Sequence, residues 1–135
     1  MSKLSNKNIM KNCRGQALVE MAFVMPIILL IIMGMVEFGR IFNSYLILTN
    51  ASREGARIAV VGGTDTDINN SVTASTNTLR QEDMMIDISP AKESRTRGAQ
   101  VTVTVHYNIE MICPIISGIV PNPFPINSST VMRME

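Results

Sequence analysis

The chain has 135 residues, a formal net charge of +1, one histidine, two cysteines and no tryptophan. That length suits one domain, and the part outside the N-terminal apolar run is too small to bury a large core without help from a long helix or from neighbouring subunits. Cys13 and Cys113 lie on opposite sides of that run, which excludes a disulfide framework and leaves no metal-ligand spacing.

Residues 1–15 read as a cytoplasmic basic leader. Lys3, Lys7, Lys11 and Arg14 precede the first acid, Glu20, leaving eight of the twelve basic residues to face all eleven acidic ones. A basic flank before an apolar segment stays in the cytoplasm and sends the far side across. Four charges spread over fourteen residues with no aromatic partner do not make a nucleic-acid site.

Residues 16–36 predict a transmembrane helix. Met21 to Val36 carries no charge. Those sixteen residues cover about 24 Å as a helix, against a hydrocarbon core of ~30 Å. The run is long for the apolar region of a secretory signal peptide, and no small-residue cleavage site follows it. Pro26 removes a backbone hydrogen bond and predicts a kink. Gly34 and Gly39 offer places for close packing, but their spacing is not that of the GxxxG dimer motif. Glu20 has two readings. It is either an interfacial acid that reaches headgroup water, or one half of a charge pair inside an assembly of such helices.

Residues 37–61 continue the helix on the exported side. Phe38, Ile41, Phe42, Tyr45, Leu48 and Ser52/Ala56 follow one another at helical spacing and predict a buried stripe. Glu37/Arg40 and Glu54/Arg57 are i,i+3 pairs. The helix is expected from about Gln16 to Ala59, and Gly62-Gly63 stops it.

Residues 62–135 predict a small extracytoplasmic head. Thr64 to Asp67 offers N-cap residues for a second helix with Ile68, Val72, Ser75 and Leu79 on one face. Asp65, Asp67 and Asn69 imitate the start of a calcium loop, but Asn70 and Thr76 occupy the positions that need glycine and a bidentate glutamate. Met84 to Ser89 reads as a strand, and Pro90 to Gly98 as a charged turn in which Arg95-Thr96-Arg97 is expected to be solvated, with a partner-binding patch as the alternative. Gln100 to Glu110 is the clearest strand, with Val101, Val103, Val105, Tyr107 and Ile109 on one face and Thr102, Thr104 and His106 on the other. Ile112 to Phe124 is apolar but too broken by proline and glycine to be a second span, and is either a loop packed on the head or a contact surface. Ser128 to Met134 predicts a last strand. The sum is an α+β chain: a long helix, a short helix and a small antiparallel sheet. No catalytic set, cofactor motif or metal site is read from these residues. His106 reads as a satisfied or exposed structural residue, and Cys113 as a buried free thiol, with intermolecular pairing as the alternative.

One spacing connects the leader to the span: Gly15 stands five residues before Glu20. It resembles the prepilin-peptidase signature of type IV pilin-like proteins, with a basic leader, glycine before the cut and glutamate fifth after it. Val19-Glu20, Ala22-Phe23, Pro26, Glu37-Phe38-Gly39-Arg40 and Ala51-Ser52-Arg53-Glu54-Gly55-Ala56-Arg57 occur in the order seen in TadE-like proteins, the pseudopilins of tight-adherence pilus systems. The resemblance covers about residues 14 to 63. It departs from the major pilins of these systems at Met21, where they usually carry tyrosine, and in having a head.

The resemblance implies a minor pseudopilin in the inner membrane of a bacterium, cut between Gly15 and Gln16 and not itself an enzyme. Its partners would be the prepilin peptidase, other pilins or pseudopilins, the assembly platform and membrane lipid, with no nucleic acid and no small-molecule substrate. It also implies that Glu20 attracts the new amine of Gln16 on an adjacent subunit, a pairing strengthened by low dielectric. A single-pass anchored binding or sensor domain unrelated to pili is the other reading of the same residues.

Overall fold

The computed structural model describes residues 7–134. The chain divides into two units, Met1–Val36 and Glu37–Glu135. One helix, α1 (Lys7–Val60), contributes residues to both.

In the first unit α1 begins nine residues before the expected start at Gln16. No proline or glycine interrupts Lys7 to Arg14, and a lone glycine such as Gly15 costs a helix only about 1 kcal/mol relative to alanine. Pro26 sits inside α1 with helical residues on both sides. Every residue from Gly15 to Met33 is exposed. Among the described residues α1 is the one helix long and apolar enough to cross a membrane.

In the second unit α1 stops where glycine lets it. Gly62 adopts φ +85°, the left-handed conformation that costs a side chain most. Gly62 N–H donates to the Ala59 carbonyl and Gly63 N–H to the Ile58 carbonyl, both at 3.1 Å, which closes the helix with a Schellman turn. Thr64 then caps α2 (Asp65–Ser75). Its hydroxyl accepts from Asp67 N–H, while the Asp67 carboxylate accepts from Thr64 N–H at 2.9 Å. Ile68 and Val72 are buried on α2, as the spacing predicts. The next buried position is Thr76 and not Ser75, because the helix ends at Ser75 and the Thr76 hydroxyl turns back to the Val72 carbonyl at 2.8 Å.

Three antiparallel strands follow, β1 (Met84–Ser89), β2 (Gln100–Ile109) and β3 (Phe124–Arg133), in the order β1-β2-β3. On central β2, Val101, Val103, Val105 and Ile109 are buried and Tyr107 half-buried, the face expected from the alternation. β3 begins four residues earlier than Ser128. The end of β2 needs ladder partners, and Phe124 and Pro125 supply them opposite Ile109 and Asn108. An edge strand tolerates a proline there.

The core joins Leu48, Ala51, Ala56 and Ala59 of α1 to Ile68 and Val72 of α2 and to the three β2 valines. The expected stripe on α1 is buried in its second half, at Leu48, Ser52 and Ala56, and not in its aromatic first half. The buried face runs through Glu37, Ser44, Leu48, Ala51, Ser52, Gly55, Ala56 and Ala59, while Phe38, Phe42 and Tyr45 are exposed. Small residues let a sheet approach the helix closely; the aromatic side is left free, with Phe38 and Phe42 stacked at 6.4 Å between ring centroids. Ser52 is fully buried and binds the hydroxyls of Thr130 at 2.8 Å and Ser128 at 3.3 Å, so its polar atom is satisfied by β3.

A second expectation fails at Arg95. Its side chain is only 3% exposed. It donates to the Pro90 carbonyl at 3.0 Å and to Asp65, fastening the β1–β2 connection to the start of α2. Nε and Nη2 of the guanidinium thus have a carbonyl and a carboxylate in reach, while Nη1 is buried without a hydrogen-bond partner among the described residues.

Candidate functional site

Gly15, Gln16 and Glu20 fall within little more than one turn of α1. A Cβ built on Gly15 would meet nothing within 4 Å. Gln16 Nε2 donates to Glu20 Oε1 at 3.3 Å, the reach of an i,i+4 pair. The acid thus accepts from a neutral amide while its neighbours Leu18, Val19, Met21 and Phe23 are exposed apolar side chains. Pro26, Gly34 and Gly39 are not gathered with this group. They lie farther along α1, and a Cβ on either glycine would meet open space.

The Glu37-Phe38-Gly39-Arg40 segment does something different. Glu37 is 3% exposed. It accepts from Arg40 Nη1 at 3.1 Å and from the Ile112 backbone N–H at 3.2 Å. Arg40 also donates to the Glu110 carbonyl, at 3.4 and 3.5 Å. A buried carboxylate is tolerable when paired and hydrogen-bonded, and here the pair also ties down the chain leaving β2.

The Ala51–Arg57 segment faces two ways. Ala51, Ser52, Gly55 and Ala56 are buried. Outward, Arg57 Nη2 donates to Glu54 Oε1 at 2.6 Å. That hydrogen bond holds the Glu54 carboxyl below its ordinary range and the Arg57 guanidinium above its own. Gly55 is where the head comes closest: an added Cβ would lie 2.8 Å from Val72 Cγ2 and 3.2 Å from Val103 Cγ1.

The pieces that carry these contacts, from the Gly15–Glu20 turn through the buried Glu37 to the small-residue face ending at Arg57, form one contiguous stretch. Residues 15–57 match the TadE-like protein family. The match opens on Gly15 and covers about a third of the chain, taking in the apolar run and the part of α1 that packs on the head. Comparison with curated proteins gives no match, and neither does comparison with solved structures.

Within the TadE-like segment the structure adds roles that motif order alone does not reveal. Gly55 is a packing residue. Its signal is visible in retrospect, because Ala51, Ser52, Gly55, Ala56 and Ala59 put small residues at three- and four-residue spacing. Glu37 and Arg40 hold a loop some 70 residues away in sequence, for which the sequence carries no sign. Outside the segment, His106 Nε2 lies 3.1 Å from Asp87 on the sheet's outer face, and Cys113 is a buried free thiol. Asp65 and Asp67 are engaged by Arg95 and by the α2 cap.

Proposed function

We propose that the chain is a minor pseudopilin of a tight-adherence type IV pilus system. The apolar run of α1 holds it in the inner membrane of a bacterium, with the basic N-terminus inside and the head outside. A prepilin peptidase cuts between Gly15 and Gln16, and Glu20 then receives the Gln16 amine of a neighbouring pilin or pseudopilin at the assembly platform. The observation that carries this reading is the TadE-like match over residues 15–57, which implies involvement in the tight-adherence pilus system.

The geometry supports the two finer steps. Gly15 presents no side chain and has open space around it, which suits access by a peptidase once the helix is unwound there. Glu20 is exposed among apolar side chains, and among the described residues it accepts one long hydrogen bond, from an amide. An ammonium of opposite charge in that low-dielectric setting attracts it far more strongly than it would in water. The pair also lowers the cost of holding either charge in lipid.

The test is Glu20→Val in cells. The variant inserts in the membrane as the parent does and loses incorporation into, or support of, the pilus. Assembly at the parent's efficiency would show that the pairing does not operate.

A further inference from the structure

The loop between β2 and β3 is built to hold apolar side chains outward. Ile112 is 64% exposed, Ile115 56% and Ile119 84%. This is not a slack segment. Met111 N–H donates to Asn122 Oδ1 at 3.1 Å and closes the loop at its base. Within the loop Cys113 is buried. Ser117 N–H donates to the Cys113 carbonyl at 3.1 Å, and the Ser117 hydroxyl donates to the Pro114 carbonyl at 2.9 Å. With Cys113 turned in, the isoleucines are turned out.

Two further observations say what covers them. No residue between Glu110 and Arg133 is charged, yet the root of the loop is bounded by ions. Glu110 pairs with Arg80, which also lies 3.7 Å from Asp83, and Glu37 and Arg40 bind the backbone at Ile112 and Glu110. An uncharged apolar loop rooted in ionic groups has the succession of groups that suits a lipid interface. The second observation is chain continuity: Glu37, which holds the loop, directly follows Val36, the last residue of the apolar run.

We infer that this loop seats Ile112, Ile115 and Ile119 in the outer leaflet of the membrane that α1 enters, giving the head a second, shallow lipid contact beside its anchor. The inference rests on the reading of α1 as a membrane span. Glu37 and Arg40 then act as the brace that keeps the loop at the point where the chain leaves the bilayer.

The absence of tryptophan gives a direct test. The full chain carrying Ile119→Trp or Ile115→Trp is placed in phosphatidylcholine–phosphatidylglycerol vesicles with brominated acyl chains, at high lipid-to-protein ratio. Phe23→Trp reports the span. Val131→Trp, exposed near the far end of β3 opposite Thr102, reports the distal head. Severalfold quenching is expected at positions 119, 115 and 23, with little at 131. Quenching at 23 alone overturns the loop contact while leaving the span intact, whether water or a second copy covers the isoleucines. No quenching at 23 overturns the spanning reading and the loop contact with it. Two loop positions keep the test decisive if one substitution disturbs the fold.

Discussion

At Gly55 a single missing carbon sets how closely α1 can approach the rest of the head. The Cβ of an alanine would meet methyl groups on two different elements, Val72 of α2 and Val103 of β2, so no one shift relieves both contacts. Alanine gains about 1 kcal/mol of helix propensity over glycine, but overpacking a filled core costs about 1–3 kcal/mol. At the closest contact, 2.8 Å, the steric term wins. Gly55→Ala is expected to lower the melting temperature of the full chain in detergent, measured by calorimetry. Gly39→Ala, into open space, is expected to leave it equal or higher. The opposite order would show that Gly55 is not a packing residue. This contrast was half legible beforehand: the run of small residues is in the sequence, but apolarity ranks aromatic residues first and so pointed to the Phe38–Tyr45 side. Arg95 was not legible at all. Nothing local separates a buried arginine in a charged turn from a solvated one, because its partners Asp65 and Pro90 are brought to it by the fold.

At the scale of elements, the boundaries that sequence signals located are those with local chemistry. The glycines after Val61 and the capping residues after Gly63 mark the end of α1 and the start of α2, and alternation marks Met84–Ser89 and the valine face of β2. The start of β3 lies earlier than its composition suggests because Pro123 and Pro125 flank its first residue, Phe124, and its pairing is fixed by the end of β2, not by its own composition. The α2 cap permits a quantitative prediction. Thr64→Ala removes the hydroxyl that accepts from Asp67 N–H and should cost about 1 kcal/mol, read from denaturant midpoints at pH 7. The two hydrogen bonds from Thr64, hydroxyl first and then backbone N–H, hold the Asp67 carboxyl below its ordinary value. A carboxyl depressed in the folded state stabilises above its unfolded pKa of about 3.9, and that contribution is lost as pH falls through the lower folded value. The difference between the parent and Thr64→Ala should accordingly be full at pH 7 and shrink below about pH 4. An undiminished difference in acid would separate Asp67 from the cap.

For the whole molecule, the chain's two units set two kinds of demand. Residues Gly15 to Met33 expose apolar side chains along α1, whereas from Glu37 onward α1 contributes to a conventional core with buried, satisfied polar groups. The apolar run and the Gly15-to-Glu20 spacing were both readable from the sequence, because each is local. How Glu37 and Arg40 use the far end of β2 was not, because that contact exists only in the folded head. The central claim is that Gly15 is a cutting point whose product amine serves Glu20. The most direct measurement is the intact mass and N-terminal peptide of the chain recovered from membranes of cells that carry the prepilin peptidase. The predicted result is a mature chain beginning at Gln16, converting to the uncut form when the peptidase is removed. A chain that retains residues 1–15 in the presence of the active peptidase would contradict it and leave α1 as a plain anchor.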